Sequence, residues 1–156
     1  MKKTVGSIGL GNIGEPMALN LIQSGYSVIG FDVVEKPVFV AAGGFQANSV
    51  AELGEKTEVI VQSLPTVRAL EKTVDDLIEF GRSGQIIIEI SSYPLKNKQL
   101  QASRLAEQGI TMLDCEISGL PFMVADRTAT IFQSGDQATI ESAQEIFEAM
   151  TNKRVN

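Results

Sequence analysis

The sequence predicts an α/β fold in which a doubly wound, mainly parallel sheet carries helices on both faces. Short apolar runs rich in β-branched residues alternate with longer amphipathic stretches, a pattern that is typical of successive βαβ units. The apolar runs contain few polar residues, as expected for parallel strands that are buried on both faces. A glycine-rich turn separates the first apolar run from the first amphipathic stretch. Together these observations favour one layered α/β domain.

The apolar runs define the predicted strands. They lie at residues 4–8, 28–31, 59–62, 86–90, 111–113 and 128–132. A short edge strand is predicted at residues 44–46, and Lys153 and Arg154 stand at the start of a further strand. Valine, isoleucine and threonine are frequent in these runs because branched side chains fit the pleated surface of a sheet.

Helices are predicted between the strands from apolar periodicity and from capping residues. Ile13, Met17 and Leu21 recur every four residues on one stripe, and Gly25 stands where a left-handed C-cap is expected. The other helix signals are a capping box at Ser49 and Glu52, starts at Thr66, Pro94 and Asp136, and ends at Gly81, Gly109 and about Met150. They predict helices at residues 67–80 and 95–108, and a last helix after Asp136.

Composition limits the classes of protein to consider. With 156 residues, of which 44% are hydrophobic and 21% charged, the chain is sized for one packed domain, residues 1–156. The net charge of −6 and the lack of a Lys/Arg stripe argue against a nucleic-acid partner. No apolar run is long enough for a membrane span, and residues 1–3 lead into a strand and not into a signal sequence. We therefore expect a cytoplasmic protein without a membrane partner.

The cysteine and histidine content excludes further chemistry. Cys115 is the single cysteine, so an internal disulfide is excluded, and its apolar surroundings predict an inert buried thiol. The chain has no histidine, which excludes a Ser-His-Asp triad and a histidine-ligated metal. We predict no metal site.

A GxGxxG motif runs from Gly9 to Gly14, directly after the first predicted strand and at the start of the first helix. This context is the one that a Rossmann-type dinucleotide-binding turn requires. Gly9 permits the tight turn, Gly11 lets the backbone approach a pyrophosphate, and Gly14 allows the helix to pack on the strand. Main-chain N–H groups and the helix dipole can then hold a diphosphate in an acidic protein. The predicted contacts are Gly9, Leu10, Gly11, Asn12, Ile13 and Gly14.

An acidic residue completes the motif. Asp32 ends the second strand roughly 20 residues after the glycine turn, where a carboxylate reaches the ribose hydroxyls of the adenosine. A carboxylate there repels the 2′-phosphate of NADP, and the adjoining Val33 and Val34 supply no guanidinium to attract it. NAD is therefore the predicted cofactor in preference to NADP, and Lys36 is the nearby cation that could weaken the preference.

With Met17, Asn20, Leu21 and Gly25 after the glycine turn, the sequence resembles the β-hydroxyacid dehydrogenases, the family of 3-hydroxyisobutyrate and 6-phosphogluconate dehydrogenases. Further segments agree with this resemblance: Leu64-Pro65 with the cofactor-side loop, residues 89–94 with the Asp-x-Ser-Thr-x-x-Pro segment, and residues 114–120 with Asp-x-Pro-Val-Ser-Gly-Gly. Ser92 takes the threonine position, while Glu116 and Leu120 replace a proline and a glycine, and residues 121–127 lack the glycines that the family has there.

The resemblance implies the roles of these residues. Leu64, Pro65 and Ser92 would contact the cofactor, and Ser118 and Gly119 would contact a small hydroxyacid or semialdehyde. The family's catalytic lysine would lie beyond Asn156, followed by an all-helical substrate domain that this chain does not contain. No catalytic residue is therefore assigned within the chain, and the chain alone is expected to bind NAD without appreciable turnover. The apolar residues 120–124 would face that domain, and their exposure predicts self-association into a homo-oligomer.

Two other functions are open at this point. A free-standing nucleotide-sensing domain would use the same glycine turn without catalysis. A methyltransferase also combines a glycine turn with an acid after the second strand, although residues 64–65 and 118–119 argue against it.

Overall fold

The computed structural model of the chain describes residues 3–156; residues 1 and 2 of the opening segment lie outside the described residues. Eight strands form one sheet: β1 (Thr4–Ile8), β2 (Ser27–Phe31), β3 (Phe45–Gln46), β4 (Val59–Gln62), β5 (Ile86–Glu89), β6 (Thr111–Ser118), β7 (Thr130–Ser134) and β8 (Lys153–Val155). The strand order is β3-β2-β1-β4-β5-β6-β7-β8. β1 to β6 pair in parallel, and β7 is antiparallel to β6 and parallel to β8.

Eight helices connect the strands: α1 (Gly14–Gln23), α2 (Pro37–Ala41), α3 (Val50–Lys56), α4 (Val67–Phe80), α5 (Leu95–Ala106), α6 (Pro121–Ala125), α7 (Gln137–Ser142) and α8 (Gln144–Met150). One face of the sheet packs against α1, α7 and α8, and the other against α3, α4 and α5. The predicted doubly wound α/β fold with helices on both faces is therefore confirmed.

The capping signals of the sequence also hold. The side chains of Ser49, Thr66 and Asp136 each accept a hydrogen bond from a backbone N–H in the first turn of the helix that follows. Gly25 and Gly109 have φ of 88° and 72°, the left-handed conformation that ends a helix at little cost for glycine. No helix within residues 3–156 is long and apolar enough to cross a membrane.

The structure differs from the prediction around β6. This strand was expected to end at Leu113, but it continues to Ser118 because residues 114–118 pair antiparallel with β7. The residues that resemble a substrate loop are thus held in a strand. The segment after it forms α6, which begins at Pro121. Arg127 follows α6 with φ of 58°, so an arginine occupies a backbone conformation that glycine adopts more readily.

The prediction of one continuous helix after Asp136 is wrong. The helix is divided at Ala143, whose ψ of 6° ends α7, before α8 begins at Gln144. The Ser142 hydroxyl donates a 2.8 Å hydrogen bond to the Thr139 carbonyl, which competes with the regular helical pattern. Ile140 in α7 and Phe147 in α8 are both buried in the core on this face of the sheet.

Candidate functional site

The carboxyl ends of the central strands lie level with one another, which positions the candidate site. One row of register partners crosses the sheet through Phe31, Ile8, Gln62, Glu89 and Asp114. The connections run in opposite directions on the two sides of β1, so a crevice opens above β1 and β4. In open α/β sheets ligands bind at this kind of switch point.

A cavity of about 740 Å³ occupies this crevice. Among the residues that line it are Gly9, Gly11, Asn12, Ile13, Asp32, Val33, Leu64 and Pro65. The structure therefore brings together eight of the residues that the sequence singled out for cofactor binding. Lys36, Asn48, Ser49 and Lys72 also line the cavity, although the sequence interpretation assigned them no contact with the cofactor.

The three glycines of the motif differ in whether the fold requires a glycine at that position. Gly9 has φ of 82°, and a Cβ there would overlap the Ser63 carbonyl oxygen. A Cβ on Gly14 would overlap the Gly9 carbonyl oxygen, so α1 could not pack against the turn. A Cβ on Gly11 would meet nothing within 4 Å, and its backbone is not left-handed. The fold thus requires glycine at the first and third positions but not at Gly11.

The main-chain N–H groups of the turn differ in whether they donate a hydrogen bond within the described residues. Within residues 3–156 the N–H groups of Gly11, Asn12 and Ile13 donate no hydrogen bond. The Leu10 N–H, in contrast, donates to Asp32 Oδ2 at 2.8 Å, and the Leu10 side chain is buried in the core. Leu10 therefore shapes the turn and positions Asp32, and its amide is not available to a ligand.

Asp32 is held in place from three sides. Besides the Leu10 N–H, it accepts a 3.0 Å hydrogen bond from the Val34 N–H, and Lys36 Nζ lies 3.7 Å from its Oδ2. The Val33 side chain is 90% exposed at the rim of the cavity. Asp32 and Lys36 thus present an acid and a cation side by side where the second strand ends.

The loop after β4 is tied to the loop after β5. The Leu64 N–H donates to Ser91 Oγ at 2.8 Å, and the Tyr93 hydroxyl donates to the Leu64 carbonyl at 2.6 Å. These bonds fix the backbone at Leu64 and Pro65 on the wall of the cavity. Ser91 and Tyr93 were not predicted as site residues, because such a contact between distant loops has no local sequence signal.

Glu89 is a buried carboxyl group directly below this wall. It is fully buried, it accepts a hydrogen bond from the Ser91 N–H at 2.6 Å, and it contacts the Gln62 amide nitrogen. Burial raises the pKa of Glu89 because the charged form loses its water, and the hydrogen bonds from Ser91 and Gln62 offset only part of this effect. Gln62 Oε1 is buried without a hydrogen-bond partner among the described residues.

Of the predicted cofactor contacts, Leu10, Gly14 and Ser92 do not line this cavity. Ser92 and the predicted substrate residues Ser118 and Gly119 lie farther along the same edge. Ser92, Ser118 and Gly119 are all exposed. The Ser92 hydroxyl donates a 2.7 Å hydrogen bond to Glu116 Oε2. Packing requires glycine at position 119, because a Cβ on Gly119 would lie 2.6 Å from the Ala129 Cβ.

Lys98 is the charged residue that sequence reasoning missed. Its side chain is 2% exposed, and its Nζ donates to Asp114 Oδ1 at 2.6 Å and to the Cys115 carbonyl at 3.3 Å. Lys98 lies on the same helical stripe as the buried Leu105, which is a signal that could have identified it. Cys115 is buried as predicted, and loss of solvent raises the pKa of its thiol to about 12.

Comparison with known proteins agrees with this architecture. Residues 4–156 match the family described as the NAD binding domain of 6-phosphogluconate dehydrogenase. The chain belongs to this family. The resemblance to β-hydroxyacid dehydrogenases is thereby confirmed, and the methyltransferase alternative loses its support.

Relatives of this NAD-binding domain are dehydrogenases by name. The NAD-dependent L-serine dehydrogenase of Pseudomonas aeruginosa is 34% identical over 154 residues, which cover 95% of this chain and 51% of that protein. The mitochondrial 3-hydroxyisobutyrate dehydrogenase of Mus musculus is 33% identical over 96% of this chain and 46% of its own length. The chain therefore spans about half the length of the curated relatives that it matches.

A solved structure shows the same fold. The Mycobacterium tuberculosis 3-hydroxyisobutyrate dehydrogenase, in a structure with L-serine, superposes with a TM-score of 0.93 at 27% identity. The match covers 99% of this chain and 54% of that chain. The NAD-binding domain described above is thus the counterpart of one half of such an enzyme.

Proposed function

We propose that this chain binds NAD in the crevice above β1 and β4. It serves as the cofactor-binding half of an oxidoreductase that transfers a hydride between NAD and a small hydroxyacid, or reduces the corresponding semialdehyde. The family match, the names of the relatives and the cavity at the switch point support this proposal. The domain assignment of residues 1–156 and the all-helical domain beyond them are part of the proposal.

One observation carries the cofactor assignment. Gly11 is the one glycine of the motif whose missing side chain serves no contact within the described residues, because a Cβ there would stand in open space. Among the described residues the N–H groups of Gly11, Asn12 and Ile13 have no acceptor, and they lie at the start of α1, where the helix dipole favours negative charge. A diphosphate bound against this backbone explains both features. It accepts the N–H groups, and it needs the space that a Cβ would fill.

Asp32 is proposed to accept hydrogen bonds from the adenosine ribose, which favours NAD over NADP. Its carboxylate would repel a 2′-phosphate, whereas Lys36 Nζ, 3.7 Å away, would attract one. Because Asp32 and Lys36 pair with each other, the lysine charge is largely compensated as long as the acid is present. We therefore expect a preference for NAD that depends on this pair.

The nicotinamide end of the dinucleotide is proposed to lie along the same edge toward β5 and β6. Leu64 and Pro65 would flank it, and Ser92 would accept a hydrogen bond there, since its hydroxyl proton is donated to Glu116. Ser118 and Gly119 would border the substrate. NAD supplies hydride transfer when bound, while the protein groups position it and exclude water. No general acid or base is assigned among these residues. Self-association and a cytoplasmic location stay predictions.

A fluorescence titration of the purified chain with NADH and NADPH in parallel tests the proposal. NADH is expected to bind saturably and more tightly than NADPH, while S-adenosylmethionine, the ligand of a methyltransferase, is expected not to compete. If NADH caused no saturable change and calorimetry detected no heat of binding, the proposed function would be wrong. Equal binding of the two nucleotides would refute only the preference for NAD.

A further inference from the structure

Glu89 and Gln62 are two buried polar residues at the carboxyl ends of neighbouring strands. They are register partners of β5 and β4, and both side chains are fully buried. Side chains alternate along a strand, so the apolar core residues Ile87 and Ile60, two positions earlier, share the same face of the sheet. Burial of a carboxyl group costs free energy unless its hydrogen bonds are satisfied, so an apolar pair would pack here at lower cost. The presence of Glu89 at this edge therefore calls for a reason beyond core packing.

The carboxylate of Glu89 fixes the chain that leaves β5. Its Oε1 accepts a 2.6 Å hydrogen bond from the Ser91 N–H, and its Oε2 contacts the Gln62 amide nitrogen at the end of β4. Ser91 is 7% exposed, so its N–H has little access to water and relies on this acceptor. Glu89 thereby joins the start of the loop after β5 to the neighbouring strand.

Ser91 extends this restraint to the wall of the cavity. Its Oγ accepts a 2.8 Å hydrogen bond from the Leu64 N–H. Leu64 lies two residues after Gln62 in the chain, so the contacts close on themselves, and we call these four residues the Glu89 network. Leu64 and Pro65 line the cavity, whereas Glu89 and Ser91 do not. The two buried residues therefore hold the wall from the interior of the protein and leave its outer side free for a ligand.

We infer that Glu89 is a positioning residue for the nicotinamide end of the cofactor. It acts through Ser91, which fixes the backbone at Leu64, where the nicotinamide ring is proposed to lie. This inference rests on the proposed function, and it gives a role to a buried carboxyl group that touches neither cofactor nor substrate. The proposed diphosphate and adenosine contacts, at Gly11 and Asp32, follow β1 and β2 on the other side of the crevice and do not involve the Glu89 network.

Two ligands separate the nicotinamide end from the rest of the cofactor. NADH and ADP-ribose share the adenosine, the diphosphate and the second ribose, and only NADH carries the nicotinamide ring. Calorimetric titration of the full chain gives a dissociation constant for each. The wild-type chain should bind NADH more tightly than ADP-ribose, because the ring gains contacts with the wall. The ratio of the two constants therefore measures how well the wall is placed.

Glu89→Met is predicted to weaken the binding of NADH and to leave that of ADP-ribose unchanged. Methionine is unbranched and close to glutamate in length, but its thioether is only a weak acceptor for the Ser91 N–H. The dissociation constant of NADH should rise about two- to tenfold, which is the effect of one hydrogen bond within the protein.

Two further variants serve as controls. Glu89→Gln keeps an amide oxygen as an acceptor for the Ser91 N–H, so it should bind NADH like the wild type. Gln101→Met makes the same replacement at a buried polar residue of α5 that does not line the cavity, and it should leave both constants unchanged. A loss in Glu89→Gln as large as that in Glu89→Met would overturn the inference, because the acceptor would then not matter.

The other outcomes separate the inference from the proposed function. Failure of the wild-type chain to bind NADH would refute the proposed function on which the inference rests. If the wild-type chain bound NADH and ADP-ribose with equal affinity, the inference alone would be overturned. The same holds if Glu89→Met left both constants unchanged or raised them equally.

Ser91→Ala is a second variant that tests the same network. It removes the acceptor of the Leu64 N–H and leaves Glu89 in place. We expect the same selective loss of NADH affinity. If Glu89→Met does not fold, Ser91→Ala decides the test, and an unchanged NADH constant or an equal loss for both ligands in this variant would overturn the inference.

Discussion

Replacement of Gly11 by alanine is predicted to weaken cofactor binding while leaving the stability of the fold nearly unchanged. In the structure a Cβ at this position meets no atom within 4 Å, and the backbone conformation is open to alanine. The free energy of unfolding should therefore change by no more than about 0.5 kcal/mol, as for other substitutions that touch nothing. The added methyl group would occupy the space proposed for the diphosphate. If one charge-assisted hydrogen bond from the turn is lost, binding weakens by about 1.5–3 kcal/mol. This corresponds to a dissociation constant roughly 10 to 150 times larger.

Gly14→Ala is the matched comparison, because it adds the same methyl group three residues further on. Its Cβ would overlap the Gly9 carbonyl oxygen, so α1 would have to move away from the turn. We expect a loss of stability of about 1–3 kcal/mol or more. Urea unfolding followed by circular dichroism measures stability, and NADH fluorescence measures binding. If Gly11→Ala bound NADH like the wild type, the backbone approach of the diphosphate would be refuted. If it unfolded like Gly14→Ala, the open space at Gly11 would be refuted.

Three further predictions concern other parts of the molecule. Asp32→Asn frees Lys36 from its ion pair and removes the charge that repels a 2′-phosphate. In parallel titrations the ratio of NADPH affinity to NADH affinity should therefore rise about tenfold or more. An unchanged ratio would contradict the role of the pair. The pKa of Glu89 is raised by burial, so the folded state holds its proton more strongly than the unfolded state, and stability falls as the pH rises from the ordinary glutamate value through the raised one. Glu89→Gln should remove this decline, because an amide does not titrate in this range; a urea stability that still fell with pH as in the wild type would show that Glu89 is not its cause. Leu120 and Phe122 are 59% and 62% exposed, so the chain should self-associate through them, and its apparent mass in light scattering should rise with concentration. The double variant Leu120→Ser, Phe122→Ser should reduce that rise. A constant monomeric mass for the wild type would contradict self-association.

Much of the fold could be predicted because its signals are local. The strands at residues 4–8 and 59–62 have the predicted bounds, and the caps at Ser49, Thr66 and Asp136 form as expected. Each of these features depends on residues within one or two turns of chain. The break at Ala143 was harder to foresee, since residues 137–150 contain no glycine or proline to mark it.

The candidate site divides in the same way. The glycine turn and Asp32 were identified from spacing alone, and they line one cavity in the structure. The sequence did not show that Asp32 would accept a hydrogen bond from the Leu10 N–H. It also did not show that Asp32 and Lys36 would form an ion pair whose two side chains are largely buried. It also did not show that Lys98 would be buried against Asp114.

The sequence by itself determined the order of the strands and of the longer helices, the position of the predicted diphosphate-binding turn and the acid that follows it, because periodicity, caps and glycine spacing act over short stretches of chain. It did not predict the short helices α2 and α6. Only the tertiary structure decided that residues 114–118 extend β6 by pairing with β7, that the loops after β4 and β5 are joined at Leu64, and that Lys98 is buried against Asp114. These features depend on contacts between residues far apart in the chain, and their energies are set by distance and burial in the folded protein.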